Sequence, residues 1–130
     1  MIEFGNHYLL NVSNDLRLRM REFFGEILGC SVHSSDNVTR DIPENVDLFM
    51  FEGGETVGVA YFDKDAPVLS NAQHRMASWM EIKADDVAAM KARLLDFGVC
   101  EITDFWDRDH FYFHAPGGQV FRLIDRNESL

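Results

Sequence analysis

A repeated order of predicted elements constrains the fold of this chain more than any other sequence feature. A weakly alternating stretch at 6–12 is followed by a capping residue, Ser13, and by apolar residues at helical spacing that stop at Gly29. The same order returns in the second half, with a capping Asp85 and a stop at Gly98. Three candidate strands follow each helix. The order therefore predicts two βαβββ modules.

The boundaries of the modules follow from the strands and from the turn residues between them. The candidate strands after the helices are 30–35, 47–52 and 56–62 in the first half, and 100–105, 111–114 and 120–125 in the second. The last two strands close on the turn Pro116-Gly117-Gly118. We predict modules over 4–63 and 76–126, a connecting loop over 64–75, and a single domain over 1–130. A chain of this length buries a sizeable core without disulfides or a structural metal.

The net charge of the chain disfavours two classes of binding partner. Twelve Lys and Arg residues against 22 Asp and Glu residues give a net charge of −10, which repels phosphate backbones and anionic lipid headgroups. The N-terminus lacks the pattern of a signal peptide, and no apolar run approaches the roughly 20 residues that span a bilayer. We therefore expect no nucleic-acid partner, no membrane partner and a cytoplasmic location.

Three short segments resemble the vicinal oxygen chelate superfamily, which includes glyoxalase I, extradiol dioxygenases, and fosfomycin and bleomycin resistance proteins. They are 6–16 (NHYLLNVSNDL), 23–29 (FFGEILG) and the turn at 116–118. The resemblance covers nearly the whole chain. It implies an α+β fold in which two βαβββ modules curl their sheets into an open, U-shaped cup. It also implies a small-molecule ligand and a homodimer.

The resemblance further implies a divalent metal held by the first and last strand of each module. The four ligand positions fall on His7, Gly58, Ala77 and Arg122. Only His7 can bind a cation, whereas a catalytic site generally needs three protein ligands, and a guanidinium adds repulsion. We therefore expect no metal and no other cofactor, which favours a binding protein over an enzyme.

An alternative assignment of the ligands keeps an enzyme open. If the alignment slips by a residue or two, a metal-dependent lyase or isomerase of the glyoxalase type could use other donors, which are Glu52, His74, Glu81, His110 and His114. His110 and His114 would lie about 13 Å apart on one strand, too far to share one metal. A metal-free enzyme could use His7 as a base with Glu81 nearby.

Strand alternation predicts the side chains that would line the cup. Residues two apart on a strand share a face, so the metal-ligand positions bring their neighbours with them. The predicted ligand-binding residues are His7, Asn11, Phe62, Trp79, Glu81 and Arg122. Aromatic surface with a few polar groups is typical of a small-molecule pocket. We predict that the protein binds an aromatic or amphipathic molecule, although Trp79 and Phe62 could instead be core residues.

An inward-facing arginine is costly unless it is paired, which leaves two hypotheses for Arg122. It could form a buried ion pair with Glu81 that ties the modules together in place of a metal. It could instead grip a carboxylate or phosphate of the ligand with its planar set of donors. A third possibility for the whole protein is an interaction module in which the cup is vestigial.

Overall fold

A computed structural model describes residues 1–34, 45–62 and 77–128 and divides the chain into two compact units, Met1–Ala66 and Pro67–Leu130. Each unit contains a four-stranded mixed sheet and helical residues in the order βαβββ, so the predicted α+β fold is confirmed. The predicted connecting loop at 64–75 lies outside the described residues. Across the three described segments, no helix is long and apolar enough to span a membrane.

The first unit is built on a sheet with the strand order β1-β4-β3-β2. Strand β1 is parallel to β4, and β3 is antiparallel to both of its neighbours. The strands are β1 (His7–Ser13), β2 (Ser31–Ser34), β3 (Val46–Met50) and β4 (Thr56–Phe62). The predicted strand at 56–62 agrees with β4 at both ends.

One helical segment crosses this first sheet, and its pitch changes along its length. A 3-10 turn (Asn14–Leu16) leads into α1 (Arg17–Arg21), which continues as a π turn (Glu22–Ile27). Phe23 and Phe24 are both fully buried, and Phe24 stacks on Phe49 of β3 with 4.7 Å between ring centroids. The segment therefore covers one face of the sheet.

The second unit repeats this arrangement with the strand order β5-β8-β7-β6. Its elements are β5 (Trp79–Ala84), α2 (Val87–Phe97), β6 (Cys100–Glu101), β7 (Phe111–His114) and β8 (Val120–Asp125). The predicted strands at 111–114 and 120–125 agree with β7 and β8. Strand β5 is parallel to β8, as β1 is to β4.

The helix ends agree with the sequence prediction except at the two caps. Ser13 stands at the start of the first helical segment, but its side chain makes no capping hydrogen bond. Gly29 and Gly98 follow the two helices with φ angles of 77° and 107°, a conformation that favours glycine. The predicted cap Asp85 is wrong by one residue, because the side chain that accepts the Ala89 N–H, at 2.9 Å, belongs to Asp86. Asp85 instead forms an exposed ion pair with Arg126.

The predicted strand at 100–105 is the largest error within the described residues. Only Cys100 and Glu101 pair with β7. Ile102 and Phe105 are buried against the sheet rather than extended along its edge. Apolar packing therefore ends this strand after two residues, and the chain continues over the sheet.

The pairing of the strands gives each sheet a face that packs under the helix, the helix face, and an opposite face, the far face. Residues that pair across neighbouring strands point to the same side. The far face of the first sheet includes His7, Leu9, Asn11, Leu48, Met50, Thr56, Gly58, Ala60 and Phe62. The far face of the second sheet includes Trp79, Glu81, Tyr112, Val120, Arg122 and Ile124. This is the alternation that the sequence predicts.

Candidate functional site

The two units carry matching hairpin turns before their last strands, which makes Gly58 and Arg122 equivalent positions. Gly54 donates its N–H to the Phe51 carbonyl at 3.0 Å, and Gly118 donates to Ala115 at 2.9 Å. The predicted alignment of these two strands therefore agrees with the turn geometry.

The equivalent of His7 in the second unit is Trp79 rather than the predicted Ala77. His7 pairs with the residue two before Gly58, and Trp79 pairs with the residue two before Arg122. The prediction aligned the two units by a single shift along the sequence, which suits the helices. The first strands of the two units need a different shift. Ala77 lies before β5 begins.

His7 is held in a defined orientation on the far face of the first sheet. Its Nδ1 lies 2.6 Å from the Thr56 hydroxyl, so this contact uses Nδ1 and not Nε2. The ring lies beside Gly58, where an added Cβ would meet His7 Cε1 at 3.3 Å and Leu9 Cδ1 at 3.2 Å. The missing side chain at Gly58 therefore lets both neighbours lie close to the sheet.

Exposed apolar side chains share this far face with His7, Leu9 two residues along β1 and Phe62 at the other end of β4. Leu9 is 58% exposed and Phe62 is 53% exposed, and Asn11 is an exposed polar group between them. The far-face residues of β1, β3 and β4 include no Asp, Glu, Lys or Arg. This surface can therefore contact an apolar ring while offering uncharged hydrogen-bonding groups at its edge.

Arg122 in the second unit forms the ion pair with Glu81 that the first of the two hypotheses proposes. Arg122 is only 3% exposed, and its Nε and Nη2 both donate to Glu81 Oε2, at 3.2 and 2.9 Å. Both residues belong to the second unit, so the pair joins β5 to β8 within one sheet. The expectation that it ties the two modules together is therefore wrong.

The remaining surroundings of Arg122 are aromatic and acidic. The guanidinium lies 4.9 Å from the Trp79 ring centroid, and Nη1 donates to the Tyr112 hydroxyl at 3.4 Å. Asp107 Oδ2 lies 3.5 Å from Nη1. Burial tends to lower the pKa of Arg122, but the hydrogen bonds and charges of Tyr112 and Glu81 raise it overall. The guanidinium therefore remains charged and has acidic partners on two sides.

Residues 102–110, which we call the strap, cover this far face of the second sheet. Phe105 stacks on Tyr112 with 4.4 Å between centroids and an interplanar angle of 15°. Ile102 and Val120 belong to the same buried cluster, against which Trp79 packs. The strap therefore buries Tyr112 and leaves Trp79 partly buried.

His110 holds the C-terminal end of the strap through hydrogen bonds. His110 Nδ1 lies 2.7 Å from Asp107 Oδ2, and its Nε2 forms a short contact with Glu128, which follows β8. The hydrogen bond to Glu128, followed by that to Asp107, raises the pKa of His110. Burial alone would raise the pKa of Asp107, but hydrogen bonds from His110, Tyr112 and the Asp109 N–H lower it overall. We call His110, Asp107 and Glu128 the latch.

Of the six predicted ligand-binding residues, the structure brings three together, because Arg122 contacts both Trp79 and Glu81. His7, Asn11 and Phe62 lie on the far face of the first sheet. Whether these residues bind a ligand stays a prediction. Tyr112 and Asp107 were missed as partners of Arg122, and His110 was missed as a partner of Asp107. Alternation places Tyr112 beside Arg122, and that signal was available in the sequence.

The side chains at the four implied ligand positions do not fit a divalent metal. Gly58 has no ligand atom, neither the predicted Ala77 nor the equivalent Trp79 supplies one, and Arg122 places a paired cation where a ligand would be needed. Within residues 1–34, 45–62 and 77–128, no group of three or more His, Cys, Asp or Glu side chains is arranged to hold a metal. His74, one of the alternative ligands, lies outside the described residues.

Comparison with known proteins relates this chain to others through structure. No family model and no curated protein matches the sequence. Solved structures do match. A glyoxalase family protein from Bacillus anthracis has a TM-score of 0.66 and 13% identity, with 95% of this chain and 94% of that chain covered. A glyoxalase/dioxygenase from Nostoc punctiforme has a TM-score of 0.67 and 18% identity, covering 93% and 89%.

A third match is a mutant of the fosfomycin resistance protein FosX from Listeria monocytogenes, complexed with Mn(II) and dihydroxypropylphosphonic acid. It has a TM-score of 0.64 and 17% identity, covering 95% of this chain and 90% of that chain. All three matches extend over both units. The chain therefore has the glyoxalase/bleomycin resistance fold.

Proposed function

We propose that this protein binds a small aromatic or amphipathic molecule on the far face of its first sheet and does so without a catalytic metal. The observation that carries the proposal is the pair of exposed apolar side chains, Leu9 and Phe62, on the same face as the oriented ring of His7. Small-molecule sites combine apolar surface with a few fixed polar groups.

The polar groups on the far face of the first sheet suit a ligand whose ring system is uncharged. His7 and Asn11 offer donors and acceptors, and the far-face residues of β1, β3 and β4 include no Asp, Glu, Lys or Arg. The net charge of −10 would attract a ligand with a cationic substituent to the protein. A flat ring with a polar or basic substituent satisfies both conditions.

Absence of a metal is part of the proposal, and Arg122 supports it. The FosX mutant structure holds Mn(II), and a bound divalent cation can polarise an oxygen atom of a ligand. In this chain the guanidinium at the implied ligand position is already paired with Glu81. We propose that this charge pair stabilises the second sheet and that the ligand contacts the first.

Substitution of the exposed apolar residues tests the proposal. Leu9→Ala and Phe62→Ala should each weaken the binding of N-phenyl-1-naphthylamine, an uncharged fluorescent aromatic probe, by about 5- to 20-fold, because each removes an apolar contact with the ring. Both side chains are exposed, so the free energy of unfolding should change by less than about 0.5 kcal/mol. Fluorescence titration and urea denaturation give the two quantities.

Leu18→Ala is the matched control, because Leu18 is 72% exposed but lies on the helical segment of the same unit. It should leave the affinity for the probe unchanged. The proposal would be wrong if the probe bound only at millimolar concentrations, or if Leu9→Ala weakened binding no more than Leu18→Ala does.

A further inference from the structure

The strap occupies the far face of the second sheet in the way that a bound aromatic molecule would. The Phe105 ring lies parallel to the Tyr112 ring at 4.4 Å, and the Trp79 ring meets Tyr112 edge-on at 5.8 Å. The Tyr112 and Trp79 rings, with the Arg122 guanidinium 4.9 Å from the Trp79 centroid, form a slot that the flat ring of Phe105 fills. Phe105 is the only ring in this slot that the strap contributes.

Outside this slot, the strap is attached to the sheet by the buried side chain of Ile102 and by polar contacts. Asp107 Oδ2 accepts from the Tyr112 hydroxyl at 2.8 Å and faces Arg122 at 3.5 Å. The Ile102 N–H donates to the Tyr112 carbonyl at 2.9 Å. The other end of the strap is held through His110, whose two ring nitrogens meet Asp107 and Glu128. The strap thus depends on the latch to close the slot.

The two contacts of His110 require a particular protonation state. An ionised carboxylate only accepts hydrogen bonds, so both ring nitrogens donate only when the imidazole carries two protons. Loss of one proton to solvent removes one of the two charge-assisted hydrogen bonds and the positive charge between two carboxylates. The charged groups that face His110 are Asp107 from the strap and Glu128 from the segment after β8, with Arg122 and Tyr112 behind Asp107.

We propose that the strap is an internal occupant of a second aromatic-binding slot, in which Phe105 takes the stacking position of a flat ligand and His110 controls its release. The part of this proposal that concerns a ligand rests on the proposed function, because it names a second surface for the same class of molecule. The part that concerns the strap does not require any ligand.

The direction of the pH effect follows from the pKa of His110. Its pKa is raised in the folded protein, above the ordinary value of 6.5, mainly by the hydrogen bond to Glu128. A raised pKa means that the latch contributes its full stabilisation below about pH 6.5 and loses it as the pH rises through the raised value. The strap should therefore be closed in mild acid and should open more often in mild alkali.

Acrylamide quenching of Trp79 measures strap opening without any ligand. Trp106, the other of the two tryptophans, is 81% exposed, and Trp106→Phe leaves Trp79 as the only reporter. In this background the quenching constant should rise by about two- to fivefold between pH 6 and pH 9, on the scale of one lost charge-assisted hydrogen bond. A quenching constant that does not change between pH 6 and pH 9 would contradict the role proposed for the latch.

Three further variants separate the latch from a merely structural role. His110→Gln should give high quenching that no longer depends on pH. Glu128→Gln should move the midpoint to lower pH, because it removes the largest cause of the raised pKa of His110. Asp96→Asn removes one negative charge from an exposed position on α2 and should leave the midpoint in place. A pH dependence that survives in His110→Gln would contradict the proposal.

The slot itself is tested with the same aromatic probe after the first surface has been removed. In a Leu9→Ala/Phe62→Ala variant, N-phenyl-1-naphthylamine should bind about three- to tenfold more tightly at pH 9 than at pH 6, and Phe105→Ala should remove that difference. If quenching changes with pH but probe binding does not, the slot is not a ligand site. If the probe never binds the first sheet but follows this pH dependence, the proposed function fails and the slot stands.

Discussion

Arg122→Met is expected to lower the free energy of unfolding by about 3–5 kcal/mol, because it leaves acidic partners of a buried cation without their counter-charge. Methionine keeps most of the apolar contact with Trp79, so the loss reports the charge and its hydrogen bonds rather than a cavity. Glu81 would lose both of its bonds to Arg122, and the Tyr112 hydroxyl would lose its donor. Urea denaturation of the variant measures the change.

Arg126→Met is the matched control for this experiment. Arg126 also pairs with an aspartate, Asp85, at 2.6 Å, but both side chains are exposed. Its removal should cost less than about 1 kcal/mol. Arg122→Lys should fall between the two, because an ammonium keeps the charge but not the planar donors. Equal destabilisation by Arg122→Met and Arg126→Met would show that the buried network does not hold the second sheet together.

Asp47→Asn is expected to lower the stability of the first unit by a similar amount, about 3–5 kcal/mol. Asp47 is fully buried on the helix face of β3. It accepts two hydrogen bonds from Arg21, at 2.9 and 3.0 Å, and one from the Tyr61 hydroxyl at 2.8 Å. Arg17 adds a contact at 3.4 Å. An amide would turn one acceptor into a donor that faces these donors. Thermal or urea denaturation gives the result.

Glu22→Gln provides the comparison for Asp47→Asn, since Glu22 pairs with Arg19 on the exposed side of the same helical segment. That change should cost only a few tenths of a kcal/mol. A loss of stability for Asp47→Asn that is no greater than for Glu22→Gln would mean that the buried contacts are weak.

In both units a basic side chain of the helix packs on the third strand of the sheet, but the residue that it contacts there differs. The residue of β7 that is equivalent to Asp47 is Phe111, over which Lys91 of α2 lies at 5.0 Å from the ring centroid. In both units a basic residue of the helix reaches the same point on the sheet. The basic residue contacts the Asp47 carboxylate in the first unit and the Phe111 ring in the second.

Much of the fold could be predicted because its signals are local. Strands β4, β7 and β8 have clear alternation between turns, and their ends were predicted correctly. Gly29 and Gly98 were predicted as helix stops for a stereochemical reason that does not depend on the rest of the chain. The faces of the strands followed from alternation alone.

The errors concern choices that depend on tertiary packing. Asp85 and Asp86 are both good capping residues, and only the direction of the entering chain selects Asp86. The residues after Glu101 have strand-like composition, but burial of Phe105 against Tyr112 directs them over the sheet. Propensity cannot weigh a contact between residues whose distance is set by the fold.

The candidate site was predictable in part. Pairing of Glu81 with Arg122 followed from their types and from alternation. The latch could not be found in this way, because Glu128 reaches His110 only after the chain turns beyond β8. The assignment of Ala77 failed because one offset was applied to strands and helices that need different ones.

Metal analysis combined with probe binding tests the central claim most directly. Protein purified without chelators is examined for Mn, Fe, Ni and Zn by mass spectrometry, and N-phenyl-1-naphthylamine is titrated before and after treatment with a chelator. We expect no stoichiometric metal and the same dissociation constant in both titrations, because Arg122 and Glu81 supply the charge pair at the implied metal position. About one metal ion per chain, with binding lost on chelation, would contradict the account.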